Sequence, residues 1–127
     1  MQIIGHKLIE FTKFNSILNI RYVSQFDNLI FDFDENFVEE AKKHKKEFSI
    51  IIGDETQAVL SNAFGAKYII VNLKNDLNLV KKVVELAEFY LFDSKIAVII
   101  DDEDSDLENA ILNRVDCAIY KKAINCI

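Results

Sequence analysis

From residue 29 onward the chain alternates short apolar runs with longer segments of helical period, which predicts strands and helices in succession. The runs are LIFDF (29–33), FSIII (48–52), YIIV (68–71), KIAVII (95–100) and CAIY (117–120). Strands separated by helices pair in parallel, because a parallel neighbour is reached only through a crossover connection. Runs that are apolar throughout, rather than alternately, belong to strands covered on both faces. The expected fold class is therefore α/β, a three-layer α/β/α sandwich with a mainly parallel sheet of about five or six strands.

Several helix ends are readable. Asp54 with Gln57 forms an Asp-x-x-Gln start, and Gly65 stands where a left-handed residue would stop that helix. Ser105 with Glu108 predicts a capping box and a helix over about 106–114. The longest helix is expected over about 76–92, with Leu77, Val80, Val83, Val84, Ala87 and Leu91 on one stripe. Leu79, Leu86, Phe89 and Tyr90 widen that stripe beyond what one core contact needs, so a partner is expected on this helix and a homodimer is the simplest one. The first 28 residues punctuate weakly and predict one or two strands at an edge of the sheet. With no linker or internal repeat, residues 1–127 read as one domain, and 127 residues suffice to bury a core without a disulfide or metal.

Composition excludes several function classes. A formal charge of −6 argues against nucleic acid as a partner. The one basic run, Lys42, Lys43, Lys45 and Lys46, is flanked by Glu39, Glu40 and Glu47 and reads as a solvated helix face. No apolar run approaches the roughly 20 residues that span a bilayer, and the N-terminus lacks an apolar stretch behind a basic one, so no membrane partner and a cytoplasmic location are expected. Three glycines and no proline leave no dinucleotide fingerprint and no GxxxxGK[ST] phosphate loop. Cys117 and Cys126 lack metal-ligand spacing and are expected as free thiols. His6 and His44 stand apart from any nucleophile, and Ser49 and Ser61 lack the glycine-flanked turn that exposes a catalytic serine.

Ligands of parallel sheets gather at the C-terminal ends of the strands, and that edge is acidic here. Asp32, Asp34 and Glu35 follow one strand, Asp54 and Glu55 the next, and Asp101, Asp102, Glu103, Asp104 and Asp106 follow KIAVII. Two origins are open: a hard cation such as Mg²⁺ neutralising the cluster, or acidic residues favoured at helix N-termini by the dipole. The second already accounts for Asp54, Asp106 and Glu108.

LIFDFDEN resembles the first motif of haloacid-dehalogenase-like phosphatases, and IAVIIDDEDSD resembles their last. The resemblance implies Asp32 as nucleophile, Asp34 as acid/base, and Asp32, Asp34, Asp101, Asp102 and Asp106 around Mg²⁺. The Gly-Thr of that pattern is Glu35 and Asn36 here, the Ser or Thr of its next strand is Gly53, and only Lys74 or Lys95 offers a phosphate-orienting lysine. KIAVIIDDEDSD also resembles the acidic strand of response-regulator receivers, although there it opens the chain. NAFGAKYIIVN with AEFYLFDSKIAVII resembles a family of small α/β proteins from epsilon-proteobacteria, which implies the fold class and no activity. GAKYIIVN and VDCAIYKKAI resemble late strands of a (β/α) barrel, so a barrel segment is the alternative architecture; eight βα units would not fit in this length.

Two functions follow as expectations. The leading one is a non-catalytic interaction or binding module, homodimeric, with a protein partner as a further occupant and no cofactor. The alternative is a Mg²⁺-dependent phosphohydrolase in which Asp32 attacks phosphorus.

Overall fold

The structure, a computed structural model, describes residues 1–72 and 77–127. Its strands are β1 (Gln2–Ile4), β2 (Phe14–Ser16), β3 (Leu29–Asp32), β4 (Phe48–Ile51), β5 (Tyr68–Asn72), β6 (Lys95–Ile100), β7 (Cys117–Tyr120) and β8 (Ile124–Cys126). The helices are α1 (Glu35–Lys43), α2 (Glu55–Phe64), α3 (Leu77–Tyr90) and α4 (Leu107–Leu112). All pairings are parallel, in the order β1-β7-β6-β5-β4-β3-β2-β8. The five strands expected from the apolar runs are β3 to β7, side by side in chain order.

That order decides where the helices go. From β3 to β7 the chain moves one place along the sheet each time and always in the same direction, so right-handed crossovers put every helix on the same face. One core accordingly joins Val38 and Ala41 of α1, Ala58 of α2, Leu79, Val80, Val83 and Val84 of α3 and Ala110 of α4 to Leu29, Phe31, Ile50, Ile69, Val71, Ile96 and Val98. The opposite face packs on itself: Ile4, Phe14, Ile30, Tyr68, Ile70, Ala97, Cys117, Ile119 and Ala123 form a second cluster with no residue of α1 to α4 in it. The expected sandwich with helices on both faces is therefore corrected, as is the strand number, to an eight-stranded sheet curled into a half-barrel.

Chain length requires the curl. β7 and β8 lie six places apart in the sheet, about 29 Å if it were flat. Only three residues separate Tyr120 from Ile124, and four Cα steps reach at most about 14 Å. The two margins of the sheet must therefore approach one another. Gly5, at φ +108°, permits this closeness at the end of β1, since a Cβ there would lie 2.7 Å from Tyr120 Cβ and 3.1 Å from Ala123 Cβ.

All four helices stop in the same way. Lys45, Gly65, Leu91 and Arg114 have φ of 55°, 91°, 54° and 58°. The next amide in each case donates back five residues, Lys46 to Ala41, Ala66 to Ser61, Phe92 to Ala87 and Val115 to Ala110, as a left-handed stop requires. Asp54 caps α2 by accepting from Gln57 N at 2.8 Å, as expected from the sequence. Ser105 does not cap α4: residues Asp104–Asp106 form a 3-10 turn, and α4 begins without a side-chain cap.

Candidate functional site

The acidic edge was the first place to seek chemistry, and its carboxylates divide into two groups. β3 and β6 are separated by β4 and β5, three strand spacings or about 14 Å along the sheet. Asp32 and Asp34 therefore lie in one group, and Asp101, Asp102 and Asp106 in the other. Among the described residues no three His, Cys, Asp or Glu side chains stand together to hold a metal ion. Lys74 lies outside the described residues, and Lys95 begins β6 at the opposite end of the strands.

In the first group Asp32 is exposed at the end of β3. Asp34 caps α1, with Oδ1 accepting from Asn36 N at 2.9 Å and from Phe37 N at 3.4 Å. A carboxylate satisfying orphan amides at a helix start is stabilised by the dipole, which accounts for its position without a metal.

The second group ties three segments together. Lys121 Nζ lies 2.9 Å from Asp101 Oδ1, and Lys122 N donates to Asp102 Oδ1 at 3.0 Å. Tyr120 donates its hydroxyl to Asp104 Oδ1 at 2.7 Å, and His6 Nε2 lies 3.7 Å from Asp104 Oδ2. His6 Nδ1 accepts from Leu8 N at 3.2 Å, so in the neutral ring the proton sits on Nε2, towards Asp104. The hydrogen bond from Tyr120 holds the Asp104 carboxyl below the usual carboxylate range. Burial, and then that same hydrogen bond, push the Tyr120 phenol up to about 12. Asp106 keeps one buried oxygen, Oδ2, without a hydrogen-bond partner. The grouping is a clip across the ends of β1, β6 and β7. The sequence did not disclose it because it depends on β1 pairing with β7, a contact between residues more than 110 apart in the chain.

Cys117 is buried on the inner face and Cys126 is exposed; both are free, and burial pushes the Cys117 thiol up to about 12, which makes it an inert core residue.

The opposite end of the molecule is apolar where it should be polar. α3 buries Leu79, Val80, Val83 and Val84, yet at its C-terminus Phe89 is 79% exposed, Tyr90 63% and Leu91 83%. Ile111 and Leu112, at the end of α4, are 61% and 69% exposed. The ends of α3 and α4 border one small cleft of about 140 Å³ lined by Ala87, Glu88, Phe92, Arg114 and Asp116. These residues sit beside the N-terminal ends of β6 and β7, away from the acidic edge. Part of the expected α3 stripe thus packs inward, while Leu77 and Leu91 do not: the buried arc is centred on Val80, Val83 and Val84. Asp76, the expected first residue of this helix, lies outside the described residues.

No protein-family model matches the chain, and no curated protein matches it in sequence. Among the described residues, no helix is long and apolar enough to cross a membrane.

Proposed function

We propose that this chain is a non-catalytic interaction module that forms a homodimer through the C-terminal ends of α3 and α4. The observation that carries this reading is Leu91. A non-glycine residue in the left-handed region costs about 1 kcal/mol, and Leu91 recovers none of it by burial, being 83% exposed. The left-handed stop serves α3 as it serves the other helices, but an apolar side chain held in solvent there gives the folded monomer nothing, which points to a role outside the monomer. Phe89 and Tyr90 adjoin it with their rings edge to face at 4.9 Å, a large aromatic surface of the sort that anchors interfaces. The bordering cleft offers both signs of charge, Glu88 and Asp116 with Arg114, which a two-fold contact can pair with themselves. The pairing of the acidic edge with Lys121, Lys122 and Tyr120 supports a module without hydrolytic chemistry there.

Sedimentation velocity across the micromolar range tests the proposal. A dimer that becomes monomeric in Phe89→Ser/Leu91→Ser, with the circular dichroism of the fold retained, supports it. A monomer at every concentration overturns it. Turnover of phosphoesters with Mg²⁺ that is lost in Asp32→Asn would overturn the non-catalytic reading separately.

A further inference from the structure

β1 and β2 point the same way and no helix joins them, so residues 5–13 run back as a strap from the C-terminal end of β1 to the start of β2. The strap is tied at its two ends. At the far end the carbonyls of Thr12 and Lys13 accept from Asn28 Nδ2 at 3.5 and 3.0 Å. At the near end two amides turn back on His6: Leu8 N donates to the ring Nδ1 at 3.2 Å and Ile9 N to the His6 carbonyl at 3.0 Å. Residues 8–12 between these ties are exposed, and Ile9 to Thr12 form one wall of a cavity of about 470 Å³ that β1, Phe14 and Tyr68 also border.

We infer that His6 is a pH-sensitive catch for this strap: the neutral ring ties down Leu8, and the protonated ring releases Leu8 and closes on Asp104. A neutral imidazole has one acceptor nitrogen, which Leu8 occupies here; in the charged ring both nitrogens are donors. A proton on Nδ1 would face the Leu8 amide proton, so those two groups separate. The ring is the side that stays, because Nε2 lies 3.7 Å from Asp104 Oδ2 and the ring packs edge-on against Tyr120 at 6.0 Å. Leu8 is 82% exposed, so no packing opposes its departure, and the near end keeps one amide tie in place of two. The other charged groups around the ring are Lys7, next to it in the chain, Lys122, whose Nζ lies 5.3 Å over the Tyr120 ring, and Asp102 and Asp106 near the same phenol. Among the described residues only Asp104 is ion-paired with the ring. Histidine is the side chain whose charge ordinarily changes between about pH 5 and 8, so the catch works within the physiological range. It lies away from the ends of α3 and α4 and does not rest on the homodimer.

The test follows the ring nitrogens of His6 and the backbone order parameters of residues 8–11 by ¹⁵N NMR of the full chain, from about pH 8 to about pH 5. At the upper pH the ring proton is expected on Nε2. As the ring charges, the Leu8 amide proton should move upfield and the order parameters should fall from about 0.8 to below about 0.6, with those of β3 to β7 unchanged. His6→Asn, whose Oδ1 stands as many bonds from the backbone as Nδ1 and accepts at every pH, should keep the strap ordered throughout. Asp104→Asn, which leaves an acceptor for Tyr120 but no charge for the ring, should move the transition to lower pH. A neutral ring with its proton on Nδ1, order parameters that do not change with pH, or a pH dependence that survives His6→Asn would each overturn the inference.

Discussion

α2 and α3 end in the same backbone conformation but on different residues. α2 stops on Gly65, for which the left-handed region carries no penalty, and nothing lies within 4 Å of where its Cβ would be. α3 stops on Leu91, with the same hydrogen bond from the following amide and an apolar side chain held in solvent. α1 and α4 stop on Lys45 and Arg114, whose side chains solvent accepts. Leucine alone gains nothing from water in this position, which is why α3 is read as an interface and α2 as surface.

The largest expected effect separates the two halves of α3. Leu79→Ala removes a side chain packed in the outer core and should cost about 2 to 4 kcal/mol, seen as a fall in Tm; Phe89→Ala in the monomeric state should change stability by no more than about 0.5 kcal/mol. Equal effects would mean that Phe89 is core and the comparison fails.

The acidic edge sharpens the contrast from the other end of the strands, because there Asp101, Asp102 and Asp104 are paired with Lys121, Lys122 and Tyr120. The Tyr120 phenol ionises near 10 when unfolded and only at about 12 when folded, so the folded state retains a proton that the unfolded state has lost. Its contribution is fully present below pH 10 and is lost as pH rises through the folded value, so stability is expected to decline between about pH 10 and 12. Chemical denaturation across that window reads it, and Tyr120→Phe should flatten the decline. The same variant should raise the Asp104 carboxyl towards the ordinary range in a carbon-detected NMR titration, His6 and Lys122 continuing to hold it down.

Smaller effects follow from exchanging the two helix stops. Gly65→Leu should cost about 1 kcal/mol in stability and leave association unchanged; Leu91→Gly should stabilise the monomer by a similar amount while weakening the dimer. If Leu91→Gly raised monomer stability and left association intact, Leu91 would be an accident of sequence and not a contact.

The central five strands were legible because each is a continuous apolar run, and α2 because Asp54, Gln57 and Gly65 bracket it chemically. β1 and β2 were expected only as one or two strands somewhere in the first 28 residues, and β8 not at all, since strands of three residues carry no period and are defined by partners far along the chain. The number of apolar runs did not disclose that successive crossovers all move in one direction, which is what gathers the helices on one face. The separation of Asp32 from Asp101 was likewise hidden, because strand order is not a local property. His6, Tyr120 and Asp104 meet only once β1 is placed beside β7. The excess hydrophobicity of Phe89, Tyr90 and Leu91 was visible in the sequence, and the structure locates it on solvent-facing surface.

Sedimentation velocity of wild type beside Phe89→Ser/Leu91→Ser, from micromolar concentration upward, tests the central claim most directly. The account predicts a wild-type dimer and a folded monomeric variant. A wild type that remains monomeric, or a variant that still dimerises, would contradict it.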